Sequence, residues 1–104
     1  MRKFSLLVEW NYRGEPSEQF EHCIIAPATP EDEEHDGENY ITGKGVDGFK
    51  FSIYDSLAEA ILSAHFNPFS IEYNELTDEE LKQKDELLSH YTWSYKHGLQ
   101  KKSE

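Results

Sequence analysis

The sequence is short of cations, of cysteine and of long apolar runs, and each shortage removes a class of function. Against 21 Asp and Glu stand only 10 Lys and Arg, for a formal charge of -11, so the summed field repels phosphate backbones and anionic lipid. Direct binding to nucleic acid or to a membrane surface is therefore not expected. The single cysteine, Cys23, has no internal disulfide partner, in keeping with a reducing compartment. No stretch approaches the roughly 18 consecutive apolar residues of a membrane-spanning helix. Met1-Arg2-Lys3-Phe4 leads straight into strand-like sequence without a signal-peptide pattern. A cytoplasmic location is the expectation.

Catalytic signatures are equally scarce. There is no Gly-x-Ser-x-Gly elbow, no dinucleotide fingerprint and no phosphate loop, since Gly43-Lys44-Gly45 has too few glycines in the wrong context. The histidines, His22, His35, His65, His90 and His97, include no pair at the four-residue step that zinc proteases use, and one cysteine cannot build a thiolate cage. His22 and Cys23 are neighbours on a predicted strand, so they point to opposite faces and cannot act as nucleophile and base. Cys23 reads as a small buried apolar residue. Asp32, Glu34, Asp36 and Gly37 match the first, third, fifth and sixth positions of a calcium-binding EF-hand loop, but the closing position holds Gly43 in place of Glu and the flanks are not helical. Neither an enzyme activity nor a metal nor a cofactor is expected.

What is present is one domain's worth of chain, 104 residues with 37% apolar and 13% aromatic content, enough for a core built on Phe, Tyr and Trp. Phe4–Tyr12 and Gln19–Ala26 alternate like strands around the Gly and Pro of residues 13–16, which predicts a hairpin. Pro27–Glu38 has two prolines, no large apolar side chain and a dense run of acids, and reads as an exposed, mobile loop. Residues 39–42 and 49–54 read as two more strands joined through Gly43–Gly45 and Asp47-Gly48, with Phe49, Phe51 and Ile53 on the buried face.

Ser56-Leu57-Ala58-Glu59 is a capping box, with Glu59 placed to reach back to the cap amide, and opens a helix that stops at Asn67-Pro68; Phe69, Ile71 and Tyr73 alternate as a further strand. Thr77-Asp78-Glu79-Glu80 is a second capping box, with Leu76 placed to staple onto Leu81, opening a helix expected to run to about Tyr95. The expected fold is α+β: a mainly antiparallel sheet of about five strands, order ββββαβα, with two helices on one face. Residues 1–98 form the single domain and 99–104 a frayed tail.

The strongest compositional feature is the distribution of acid. Between Glu15 and Glu80, seventeen carboxylates meet only Lys44 and Lys50. Two clusters stand out: Glu31, Asp32, Glu33, Glu34, Asp36 and Glu38 in the loop, and Glu72, Glu75, Asp78, Glu79 and Glu80 around the start of the helix at Thr77. First-turn acids complement a helix dipole and a charged surface keeps a small protein dispersed, which accounts for part of this pattern. Beyond that, crowded carboxylates can stand in for phosphates against a basic cleft, since duplex DNA carries a charge about every 1.7 Å along its axis.

These residues are the expected contact surface for a basic protein partner such as a nuclease toxin or nucleic-acid-guided effector. The expected role is that of a non-catalytic inhibitor, of the kind seen in toxin immunity proteins, antitoxins and phage anti-defence proteins, an analogy that rests on size and charge alone. The alternative is an accessory or assembly protein that works through an apolar patch or sheet edge. Partly exposed aromatics could anchor either contact, although Trp10 and Trp93 read first as packing residues.

Overall fold

The central strand of the protein alternates between apolar residues on one side and a mixed set on the other, and the rest of the chain is arranged about it. A computed structural model describes residues 2–102. Strand β1 (Phe4–Asn11) pairs antiparallel with β2 (Phe20–Pro27) on one flank and with β4 (Asp47–Tyr54) on the other. The short β3 (Asn39–Ile41) extends the β4 side, and the two-residue β5 (Glu72–Tyr73) adds to β2, giving the order β3-β4-β1-β2-β5. The chain is α+β as expected. The sheet is mixed and not purely antiparallel, because β5 runs parallel to β2 after the crossover through helix α2 (Leu57–Ser63).

Helix α2 and helix α3 (Asp78–Leu88) cover one face. Phe4, Leu6, Cys23 and Ile25 from the sheet meet Leu57, Ala60, Ile61, Ala64 and Leu88 in the buried core, with Val8, Tyr54 and Tyr73 packed at its margin. The register explains which strand residues take part. Phe4 lies opposite Tyr54 and Leu6 opposite Ser52 and Ile25, so the covered side of β4 is Lys50, Ser52 and Tyr54. Phe49, Phe51 and Ile53, expected in the core, point to the other face and are only half-buried. The Cα envelope, 39 × 37 × 18 Å, is two layers thick. Its radius of gyration of 14.6 Å exceeds the roughly 13 Å of a rounder domain of this length.

Four further segments depart from the sequence reading. Pro27–Glu38 is not a mobile loop: Pro30–Glu34 forms helix α1, with Thr29 Oγ1 accepting from Asp32 N and Asp32 Oδ2 accepting from Thr29 N. Thr at the cap, Pro at the first helical position and acids in the first turn are the ordinary chemistry of a helix start, outweighed in composition by two prolines and the charge run. Gly37, at φ 87°, makes a bulge in which its N–H donates to Phe51 O while Phe51 N donates to Glu38 O, so the acidic segment is tied to β4. Asp47-Gly48 belongs to β4 and not to the turn.

The helix opening at Thr77 ends at Leu88, not Tyr95. Ser89 Oγ donates back to Glu86 O at 2.6 Å, and Tyr91–Ser94 (β6) and Gly98–Lys101 (β7) form a separate two-stranded hairpin. Aromatic and β-branched residues in Tyr91-Thr92-Trp93 favour a strand over another helical turn, and Gly98 at φ 70° supplies the left-handed residue that closes the hairpin. Residues 99–101 are therefore strand where a frayed tail was expected, while Ser103 and Glu104 lie outside the described residues. Of the strand expected across Phe69, Ile71 and Tyr73, only Glu72 and Tyr73 pair; Pro68–Ser70 is a 3-10 turn with Phe69 exposed.

Gly48 is required by its neighbours: a Cβ there would collide with Tyr40 O and come within 2.7 Å of Trp10 Cζ2. Trp10 lies across it and donates from Nε1 to Gly45 O at 3.0 Å. Gly48→Ala is expected to destabilise the protein by about 1–3 kcal/mol in chemical denaturation, the usual cost of overpacking; an unchanged midpoint would contradict this packing. Cys23 is fully buried and desolvation pushes its thiol up to about 12. It should resist a thiol-specific reagent at pH 8 in the native protein and react stoichiometrically once the chain is unfolded.

Candidate functional site

Arg2 and Lys3, just before β1, organise the acidic residues. Continuing the strand alternation, Arg2 turns to the helix-covered side and Lys3 to the other. Arg2 Nε donates to Glu80 Oε2 at 2.8 Å, its Nη2 also contacts Glu80 Oε1, and the guanidinium lies 5.8 Å from the Phe4 ring centroid. Lys3 Nζ pairs with Glu33 Oε1 at 2.9 Å and feels Asp55 and Asp36. The helix-side cluster of Glu75, Asp78, Glu79 and Glu80 and the α1 cluster of Glu31–Glu34 therefore meet at one end of the sheet. They lie on opposite sides of its rim, separated by two adjacent cations. They share an end and not a face.

Several of these carboxylates have a definite local role. Glu80 closes the α3 capping box, its Oε1 accepting from Thr77 N at 2.9 Å while Thr77 Oγ1 accepts from Glu80 N at 3.1 Å. The Arg2 contact holds its carboxyl down at about 2, against a smaller opposing push from burial. Glu75 turns the chain from β5 into α3 with φ 57°, and Leu76 beside it packs on the core. In the α1 segment, Asp32 caps the helix, Asp36 Oδ1 accepts from Ile53 N at 2.9 Å, and Glu38 pairs with His35, whose pKa it raises.

Glu31, Glu34, Asp78 and Glu79 are exposed and make no hydrogen bond or ion pair among the described residues. With Glu75, whose side chain is likewise unengaged, they are the members of the two clusters free to meet another molecule. Glu72 does not join either cluster. It lies on the uncovered sheet face, its Oε1 3.4 Å from His22 Nε2, while His22 Nδ1 is 3.1 Å from Glu9 Oε1. The two carboxylates thus bracket opposite nitrogens of one imidazole ring.

That uncovered face is what composition could not disclose. It presents Leu7, Ile24, Phe49, Phe51 and Ile53, flanked by Phe20 at 47% and Tyr40 at 54% exposure. Alternation in each strand signalled two faces; only the register with β1 decides which one the helices take. A groove of about 650 Å³ lies elsewhere, between α3, the β6–β7 hairpin and the turn at Pro68, lined by Phe69, Tyr91, Trp93 and Lys84 among others. At the hairpin tip Trp93 and Tyr95 stack edge to face at 4.7 Å, with Tyr95 almost wholly exposed.

The depressed Glu80 carboxyl fixes the direction of one pH effect. Its folded value lies below its ordinary 4.5, so its pairing stabilises the fold fully above about pH 4.5 and that contribution is lost as the pH falls through about 2. Glu80→Gln should flatten stability against pH across this acid limb, and an unchanged acid limb would remove the pair from the account. Thr77→Ala, which opens the same capping box, should cost about 1 kcal/mol at neutral pH. Comparison with known protein families, characterised proteins and solved structures finds no match to this chain.

Proposed function

We propose that the chain is a non-catalytic inhibitor that binds a basic nucleic-acid-handling protein, a nuclease toxin or a nucleic-acid-guided effector, through the acidic end of its sheet. The observation that supports this reading is the meeting of both carboxylate clusters at one end, where Arg2 and Lys3 are each already engaged by Glu80 and Glu33. A basic cleft that tracks phosphates would meet Glu31 and Glu34 on one side of the rim and Asp78 and Glu79 on the other, charges that need no rearrangement to be reached. Such a field steers encounter with a cationic partner and gives binding a steep dependence on salt.

The test uses the full chain and basic nucleases or guided effectors from the same cell. Inhibition of nucleic-acid cleavage should saturate at one inhibitor per target. It should weaken steeply between low and high ionic strength, and fall at least 10-fold when Glu31→Gln, Glu34→Gln, Asp78→Asn and Glu79→Gln are combined. Loss of two first-turn acids should cost α3 only about 0.3–1 kcal/mol each, so a thermal melt separates lost binding from lost folding. Unaltered inhibition by the neutralised variant would overturn the proposal, as would capture of partners whose action on nucleic acid is unaffected.

A further inference from the structure

We infer that the uncovered face of the five-stranded sheet is a docking surface for a cationic amphipathic helix of a partner protein, an inference that rests on the inhibitor reading and names the apolar part of its contact. The register lines up one row across the sheet. Phe51, Leu7 and Ile24 stand side by side on β4, β1 and β2, Glu72 continues the row on β5, and the Gly37 bulge sets Glu38 opposite Phe51 at the other end. A three-residue apolar strip is thus closed by a carboxylate on each side.

The dimensions suit one helix. Four strand spacings at about 4.8 Å put the two end positions about 19 Å apart. A helix with its side chains is about 10–12 Å across. Lying along the strands, it would cover the apolar strip while Lys or Arg side chains on its flanks reach outward to Glu38 and Glu72 with their stems over the Phe51 and Ile24 side chains. The next row, Tyr40, Phe49, Glu9 and His22, extends the strip along the strand direction and adds a third carboxylate.

Charge selects the occupant. Strand positions on this face carry Glu9, Glu72 and Asp47 and no Lys or Arg, while Lys50 points to the helix-covered side. Asp47 is engaged by Arg13 at 2.6 Å. A second copy stacked face to face would bring the Glu9 and Glu72 carboxylates of both copies together, with Lys3 and Arg13 already engaged by Glu33 and Asp47 and only the His22 rings between them, a destabilising arrangement. Area points the same way. Five strands, two of them short, offer about 500–600 Å², below the roughly 800 Å² per partner of a standard interface. A single helix about 10–12 Å across, laid along eight-residue strands, needs only about 300 Å².

The experiment uses the full chain, isotope-labelled for NMR, and a synthetic amphipathic helical peptide with a Leu stripe flanked by Arg as the probe. Shift changes should cluster at Leu7, Glu9, His22, Ile24 and Phe51. Affinity should fall at least 10-fold with Phe20→Ser plus Tyr40→Ser, both exposed positions, and separately with Glu9→Gln plus Glu72→Gln. Thermal melts should confirm that both variants fold. Shifts confined to α1 and the first turn of α3, insensitive to either pair, would overturn this inference and leave the charge-based inhibitor reading standing. A dimer at about 100 μM in sedimentation equilibrium that Phe51→Lys dissolves would overturn it in favour of self-association. Failure of the Glu31, Glu34, Asp78 and Glu79 neutralisation to affect inhibition, with the face still binding the peptide, would remove the function and keep the surface.

Discussion

The alternation of β1 between its two sides is the constraint on which the structure depends. Because β1 is the middle strand, its even-numbered side, Phe4, Leu6 and Val8, decides which half of every neighbouring strand faces the helices. Its preceding residues inherit the same division, sending Arg2 toward α3 and Lys3 toward α1. One strand thus fixes the core, the open face and the junction of the two acidic clusters. The Lys3–Glu33 pair is exposed and weak, and in the Arg2–Glu80 pair only the carboxylate is largely buried; what both contribute is placement.

That geometry changes the meaning of the charge count. A formal charge of -11 on a small domain would keep it dispersed wherever the carboxylates lay. Here several acids do structural work: Asp32 and Glu80 cap helices, Asp36 holds β4, and Glu33 takes Lys3. Glu31, Glu34, Glu75, Asp78 and Glu79 are left over in the two clusters, and Glu9, Glu38 and Glu72 frame the open sheet face beside histidine partners.

Much of the fold was legible because it is local. The β1–β2 hairpin, the cap at Ser56 and the Thr77 capping box each follow from a few adjacent residues and are present, Ser56 Oγ accepting from Glu59 N at 3.1 Å, though the Glu59 side chain does not return the bond expected of a capping box there. What was not legible depends on partners distant in sequence. Phe49, Phe51 and Ile53 look more like core than Lys50, Ser52 and Tyr54, yet pairing of Tyr54 with Phe4 puts the second set under the helices. Thr29 carried a readable helix start that composition masked. Leu88, Tyr91 and Tyr95 kept a helical period into a segment whose side chains favour strand. Of the candidate site, the two clusters were evident as runs of acid, but their meeting at one end, and the exclusion of Glu72 from it, required the sheet.

The central claim, that two acidic clusters far apart in sequence meet at one end of the sheet, is tested most directly by paramagnetic relaxation. A nitroxide attached at Glu34→Cys is selective because Cys23 is fully buried. The account predicts strong broadening of the amides of Arg2 and Thr77–Glu80 and none at the hairpin residues Trp93–Leu99. Broadening at the hairpin with sharp signals at Thr77–Glu80 would contradict it.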